Sequence, residues 1–227
     1  MSRPAGFVKD HLLGLFFGGI FLVTLVGQFF AGLSQFNNDQ HASGLSQISP
    51  LRYLLSADFA ADVTENWQSE YLQFLLYIAA TVWFIQRGSP ESKEPGKSGL
   101  ESDEDQKVGP YADDDSPRWA AAGGFRTLVF SWSLTLTMGS IFFACWLAQS
   151  IGGWASYNET RLEQLQDPVT WGSYLLNADF WSRTLQNWQS EFLAVGSMAV
   201  LGIYLRQRGS PESKLVGEPH HATGSGD

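Results

Sequence analysis

Tyr53–Lys93, YLLSADFAADVTENWQSEYLQFLLYIAATVWFIQRGSPESK, lies over Tyr174–Lys214, YLLNADFWSRTLQNWQSEFLAVGSMAVLGIYLRQRGSPESK, at a constant shift of 121 residues and without a gap. The same shift carries Gly18, Ile20, Phe21, Gln28 and Gly32 onto Gly139, Ile141, Phe142, Gln149 and Gly153. The chain is therefore written twice. Because the copies have drifted apart elsewhere, the positions that stayed identical mark a constraint acting within one molecule.

Upstream of each repeated stretch stands a long apolar run. Leu12–Leu33 holds 22 residues without a charge, and at about 1.5 Å per residue it reaches roughly 33 Å, enough to cross a bilayer core. Its copy, Thr127–Ile151, holds 25. Arg3 and Lys9 precede the first run as in a secretory signal, but the run is longer than such a signal and no small-x-small cleavage pattern follows, so it reads as a retained span. The uncharged parts of the second and fourth spans are shorter, Tyr71–Ile85 and Phe192–Leu205. Each must draw the Asn-Trp-Gln-Ser-Glu before it towards the outer interface.

The expected fold is an all-α polytopic membrane protein with four transmembrane helices, a tandem duplication of a two-helix hairpin. Two spans per unit make the repeats parallel, related by a pseudo-twofold axis along the membrane normal. The first unit covers 1–93, with spans near 12–33 and 67–85; the second covers 119–214, with spans near 127–151 and 188–205. Between them 94–118 is rich in Pro, Gly, Ser and acidic residues and reads as a disordered linker, as does the tail 215–227. The connections 34–65 and 154–186 are too long for turns. Ser49-Pro50 and Asp167-Pro168 suit a capped short helix in each, ending near Asp58 and Asp179, either on the membrane surface or as a packed loop helix.

Basic residues fall mostly before the first span, between the second and third, and after the fourth; Arg52, Arg161 and Arg183 stand on the other side. The positive-inside rule places both termini and the linker in the cytoplasm of a multi-pass plasma-membrane protein. A net charge of -9 argues against nucleic acid as a partner. The single cysteine, Cys145, excludes a disulfide framework and a thiol metal site. No metal or other cofactor is expected, and the tail pair His220-His221 reads as composition. No phosphate loop, nucleophile triad or metal-spaced His-Glu pattern occurs, so the chain is not expected to be an enzyme.

Two constellations could carry function. The first is polar: Glu70, Glu191, Gln28, Gln149, Asn66 and Asn187 fall near the outer ends of the spans. Each Gln is expected to meet the Glu of its own unit across the hairpin, with the Asn at i, i+4 on the same helix face. On the long span Gly18, Phe21, Gln28 and Gly32 share one face, the expected packing seam. Paired carboxylates there suit a cation or proton site; equally, each Glu can cap its helix's positive end and hold the hairpin together. The second constellation is the segment leaving each short span: Arg87, Gly88, Ser89, Pro90 and Glu91, repeated as Arg208, Gly209, Ser210, Pro211 and Glu212 within QRGSPESK. Arg and Gly suit a helix stop, but capping alone does not demand identity over eight residues. A structural staple or a recognition site on a partner or lipid head groups would.

At NWQSE, at YLLSADF, and at RQRGSPESK as it stands over Arg206–Lys214, the chain resembles a family of small bacterial integral membrane proteins known as a domain of unknown function. That resemblance implies membrane location and fold over nearly the whole chain, and no activity. The expected function is that of a non-enzymatic scaffold or accessory subunit, in contact with the lipid bilayer and acting as a homo-oligomer or within a membrane protein complex. The alternative is a small cation or proton channel or transporter using Glu70 and Glu191; an enzyme acting on lipid with those carboxylates stands third.

Overall fold

The computed structural model describes residues 6–224, and all the regular structure among them is helical. In chain order the helices are α1 (Phe7–Asp10), α2 (Leu12–Ala42), α3 (Pro50–Leu54), α4 (Ala57–Trp83), α5 (Arg118–Ala121), α6 (Gly124–Ser131), α7 (Ser133–Glu163), α8 (Trp171–Tyr174) and α9 (Ala178–Tyr204). Two of them, α2 and α7, are long and apolar enough to cross a membrane. The 27-residue helices α4 and α9 reach about 40 Å at 1.5 Å per residue, with their carboxylates gathered in the first half.

The apolar run 127–151 is broken by Trp132 (φ −107°, ψ 6°) between α6 and α7. The cause is local: Ser131 Oγ donates to Thr127 O at 2.8 Å and Ser133 Oγ donates to Phe130 O at 2.7 Å, so hydroxyls take carbonyls in the helical ladder.

The long connections are largely helical, because α2 and α7 run well past the apolar stretch. Asn37 clamps the returning strand of chain, its amide accepting from Ile48 N at 2.8 Å and donating to Ile48 O at 3.1 Å. Asn158, at the same place in the second copy, does the same to Val169. Ser49 caps α3 as its sequence suggests, accepting from Arg52 N. Asp167 does not cap α8; with Val169 held by Asn158, the cap passes to Thr170, which accepts from Ser173 N. Asp58 and Asp179 do not end the short helices but lie in the first turns of α4 and α9, which Ser56 and Asn177 cap. An aspartate suits that positive end.

Within each half the long helix meets its own short helix through aromatic rings and one tyrosine. Tyr53 lies on Gly32, and Tyr174 on Gly153, where a Cβ would stand 2.6 Å from the phenol oxygen. Phe21 meets Trp67 at 5.9 Å and Phe29 meets Phe59 at 5.6 Å between ring centres; Phe142 and Trp146 meet Trp188 at 6.4 and 6.0 Å. Such pairs add roughly 0.5–1.5 kcal/mol each beyond their burial.

The closest packing crosses between the halves. Helix α4 lies antiparallel on α7: Gly152 sits against Ala57 and Ala61, Gly139 against Leu75, and Ser156 Oγ donates to Asp58 Oδ1 at 2.6 Å. Glycines let the two backbones approach. Helix α4 also lies beside α9, and the partners there differ in number by 118 to 122, so the two helices run parallel with residues of like position opposed. No matching contact joins α9 to α2, whose apolar window contains no buried residue. The seam on α7 is thus occupied throughout, whereas on α2 only Phe21 and Gly32 are used and Gly18 meets nothing.

The linker and the tail carry local turns and polar contacts. Residues 94–118 hold a short 3-10 turn, Gly109–Tyr111, and the ion pairs Lys93–Glu101 and Lys107–Asp113. The tail folds back as far as residue 224. Its carbonyls at Pro219, His220 and Ala222 accept from Lys214 Nζ, and His220 reaches Ile203 O at 2.9 Å. Residues 225–227 lie outside the described ones.

Candidate polar cluster and repeated turns

The junction of α4 and α9 gathers the charged groups. Arg183 donates to Glu65 Oε2 at 2.6 Å and to Asp62 Oδ1 at 3.0 Å, and Asn187 donates to Glu65 Oε1 at 2.7 Å. One turn further Trp188 Nε1 donates to Gln68 Oε1 at 2.8 Å, and Ser69 Oγ stands 3.5 Å from Glu191 Oε1. Burial pushes the Asp62 carboxyl above the usual carboxylate range, against the pull of Arg183 and with Glu65 and Asp58 adding to the rise. Burial opposes the Arg183 charge, but Glu65 and Asp62 outweigh it and hold the guanidinium more firmly protonated than usual.

The six residues singled out from the sequence do not form one site. Neither Gln28 nor Gln149 hydrogen-bonds to a glutamate among the described residues: Gln28 is exposed on α2, and Gln149 is buried between α7 and α4 with Oε1 unpartnered. The reason is the packing partner: the face of α7 that carries Gly139 and Gly152 lies on α4 of the other half, while Phe142 and Gly153 meet Trp188 and Tyr174 of their own. Asn66 is exposed and donates to Asp62 O within its helix, while Asn187 joins the Arg183 cluster. Glu70 is exposed and Glu191 half-buried.

Sequence reasoning missed Asp62, Glu65, Gln68 and Arg183. A signal was present: Asp62 and Arg183 occupy the same place in the two copies with opposite charge, as an ion pair between parallel repeats requires. Five buried polar atoms around this junction and the α7 contact lack a partner among the described residues: Asp58 Oδ2, Gln68 Nε2, Trp146 Nε1, Gln149 Oε1 and Thr184 Oγ1. No group of three metal-ligating side chains occurs there. An apolar cleft of about 320 Å³ opens nearby, between Phe143, Trp146, Ser150, Trp171 and Trp181. In the first half Phe29 stands where Ser150 does and fills that place with its own ring cluster.

The repeated exit segments fold alike. Gly88 and Gly209 take φ of 88° and 84°, the left-handed conformation that glycine adopts at least cost. Ser89 and Ser210 accept from Glu91 N and Glu212 N; Ser92 and Ser213 accept from Gln86 N and Gln207 N and donate to the carbonyls of Lys93 and Lys214. Five of the eight identical residues are thereby occupied in one turn. The first turn is also docked: Gly88 N donates to Thr223 Oγ1, Gly224 N donates to Ser89 O, Pro90 packs at Gly202, and Glu91 accepts from Tyr77. The second turn has no comparable cover, and a Cβ on Gly209 would meet nothing. Among the described residues neither Arg87 nor Arg208 makes a hydrogen bond through its guanidinium group, and both are exposed at this end of the molecule.

No curated protein and no solved structure matches the chain. The family model described as a domain of unknown function, DUF6766, matches residues 4–225, and the chain belongs to that family.

Proposed function

We propose that the protein is a non-enzymatic membrane scaffold or accessory subunit, acting by packing against copies of itself or against a partner complex. In this reading α4 and α9 cross the bilayer with α2 and α7, giving four spans from a duplicated hairpin, and both termini and the linker face the cytoplasm. The two long apolar helices support membrane insertion, and the constant shift of 121 residues supports the duplication. The observation that carries the assembly reading is that the molecule spends its closest packing on a contact between its halves while leaving the corresponding faces of α2 and α9 open. Tagged protein taken gently from its own membranes should bring down further copies or a stoichiometric companion. Recovery of the chain alone at every step would remove the reading.

Glu70 and Glu191 hold the same place in the two copies, and Glu191 stands 3.5 Å from Ser69 of the other half, which favours a cation or proton channel as the second reading. It predicts flux in vesicles that Glu70→Gln with Glu191→Gln abolishes while insertion persists. Unchanged flux would remove it.

A further inference from the structure

We propose that the chain assembles head to tail with a second copy of itself, the free faces of α9 in one copy and of α2 and α4 in the other repeating the contact that its halves already make. The proposal deepens the assembly reading above and rests on it.

The observation is the use made of Asn-Trp-Gln-Ser-Glu. To the contact between halves, the first copy of the motif contributes Gln68, which accepts from Trp188, and Ser69, which faces Glu191; the second contributes Asn187, Trp188 and Glu191. Asn66, Trp67 and Glu70 on α4, and Gln189 and Ser190 on α9, make no hydrogen bond to the other half and are all exposed. Each motif nonetheless keeps all five residues. The shift of 121 turns the unused parts into partners: Gln189 against Trp67 of the second copy and Ser190 against its Glu70. Both repeat pairs already made within the chain, Gln68 with Trp188 and Ser69 with Glu191.

The α4–α7 contact tells the same story. Buried on α4 are Ala61, Gln68, Ser69 and Leu72, and on α7 Phe142, Cys145 and Gln149 with Ser150, Gly152 and Gly153. The counterparts of the first seven are Ser182, Gln189, Ser190 and Leu193 on α9, and Phe21, Thr24 and Gln28 on α2; every one is exposed, Leu193 by 68%. Lipid would cover Leu193 and Phe21 well. It would leave the amides of Gln28 and Gln189 without partners, at a cost that a second protein surface avoids.

Closure within one chain does not account for the open faces. Tyr53 on Gly32 holds α2 to its own half just as Tyr174 on Gly153 holds α7, yet only α7 reaches the other half. The halves are therefore related by less than half a turn, and the contact is heterologous. A closed ring of such contacts needs more than two halves, so the smallest contains four, which is two copies.

The test uses short bifunctional thiol reagents on membranes, with Cys145→Thr as background because Thr24 stands at the matching place. Ser69→Cys with Glu191→Cys in one chain calibrates the reagent on the known contact. Chains carrying Glu70→Cys and, separately tagged, Ser190→Cys are then produced together. A covalent dimer bearing both tags, in yield comparable to the internal control, is expected. An internal control that joins while the mixed pair yields less than a tenth as much would overturn the proposal. So would joining of Glu70→Cys to Ser190→Cys within a single chain, which means twofold closure. Stoichiometric capture of a different protein without any mixed dimer would leave the assembly reading standing and remove this one. Both positions are exposed, so the substitutions spare the packed core; native mass of the unsubstituted protein showing one copy per particle would overturn the proposal independently.

Discussion

Replacing Gly152 by valine should separate the halves of the molecule. A Cβ at Gly152 would stand 3.1 Å from Ala57 O, 3.2 Å from Ala61 N and 3.2 Å from Ala61 Cβ. These atoms belong to the backbone wall of α4, which cannot step aside as a flexible side chain does. Overpacking of this kind costs about 1–3 kcal/mol, offset by about 0.5 kcal/mol because valine forms helix better than glycine. The Ser156–Asp58 hydrogen bond lies one turn away, and its loss would add about 1 kcal/mol. The net expectation is a loss of about 1.5–3.5 kcal/mol, a roughly 10- to 400-fold shift towards the unfolded state. Unfolding in mixed micelles of rising denaturing-detergent fraction reads this directly. The control is Gly14→Val in α2, where a Cβ meets nothing and no loss is expected. Equal stability of the Gly152 and Gly14 variants would refute close approach of α4 and α7.

Three further outcomes follow from named contacts. Glu65→Gln should cost about 1.5–3 kcal/mol by removing the close charged partner of Arg183, whereas Asp62→Asn should stay within about 1 kcal/mol because half of that side chain is exposed. The Asp62 carboxyl is raised in the fold, so its charge favours the fold least near neutral pH, and the same unfolding assay giving Asp62→Asn the larger loss at pH 7 would contradict this. Gly88→Ala should destabilise more than Gly209→Ala, since both glycines have positive φ but only at Gly88 would the new Cβ stand 2.5 Å from His220 O; tail proteolysis reporting equal release would contradict the docking. Tyr174 is buried, faces Asp179 and donates to it at 3.0 Å, and all three effects hold its phenol protonated beyond the usual range. An acid raised in the fold stabilises below its unfolded value and loses that contribution as pH rises through its folded one, so stability should fall above roughly pH 10, and Tyr174→Phe should flatten that fall in a thermal-melt series.

The helices were legible because apolar runs and caps act locally: Ser49 performs the role that its type and place imply. The all-helical class, the long apolar helices and the family followed from the same local signals. What was not legible was which helix each seam faces. A repeated hairpin invites pairing within each unit, yet the glycine seam of α7 is spent on α4 of the other half, and this leaves Gln28 and Gln149, identical in sequence, in opposite surroundings. The contacts of the tail were not legible for another reason. Its composition is mostly polar and rich in Gly and Pro, but Lys214 and Arg206 organise it through its backbone carbonyls, and backbone acceptors leave no trace in sequence. Asp62 and Arg183 were the exception, readable in principle by laying the two copies over each other and looking for opposed charges.

The most direct test of the proposed assembly in the membrane is the mass of the particle released from its source membranes in a polymer that keeps the surrounding lipid. Two or more copies of the chain in each particle are expected, with any companion protein in fixed ratio. Particles holding one copy and nothing else would contradict assembly, and with it the reading of the open faces on α2 and α9.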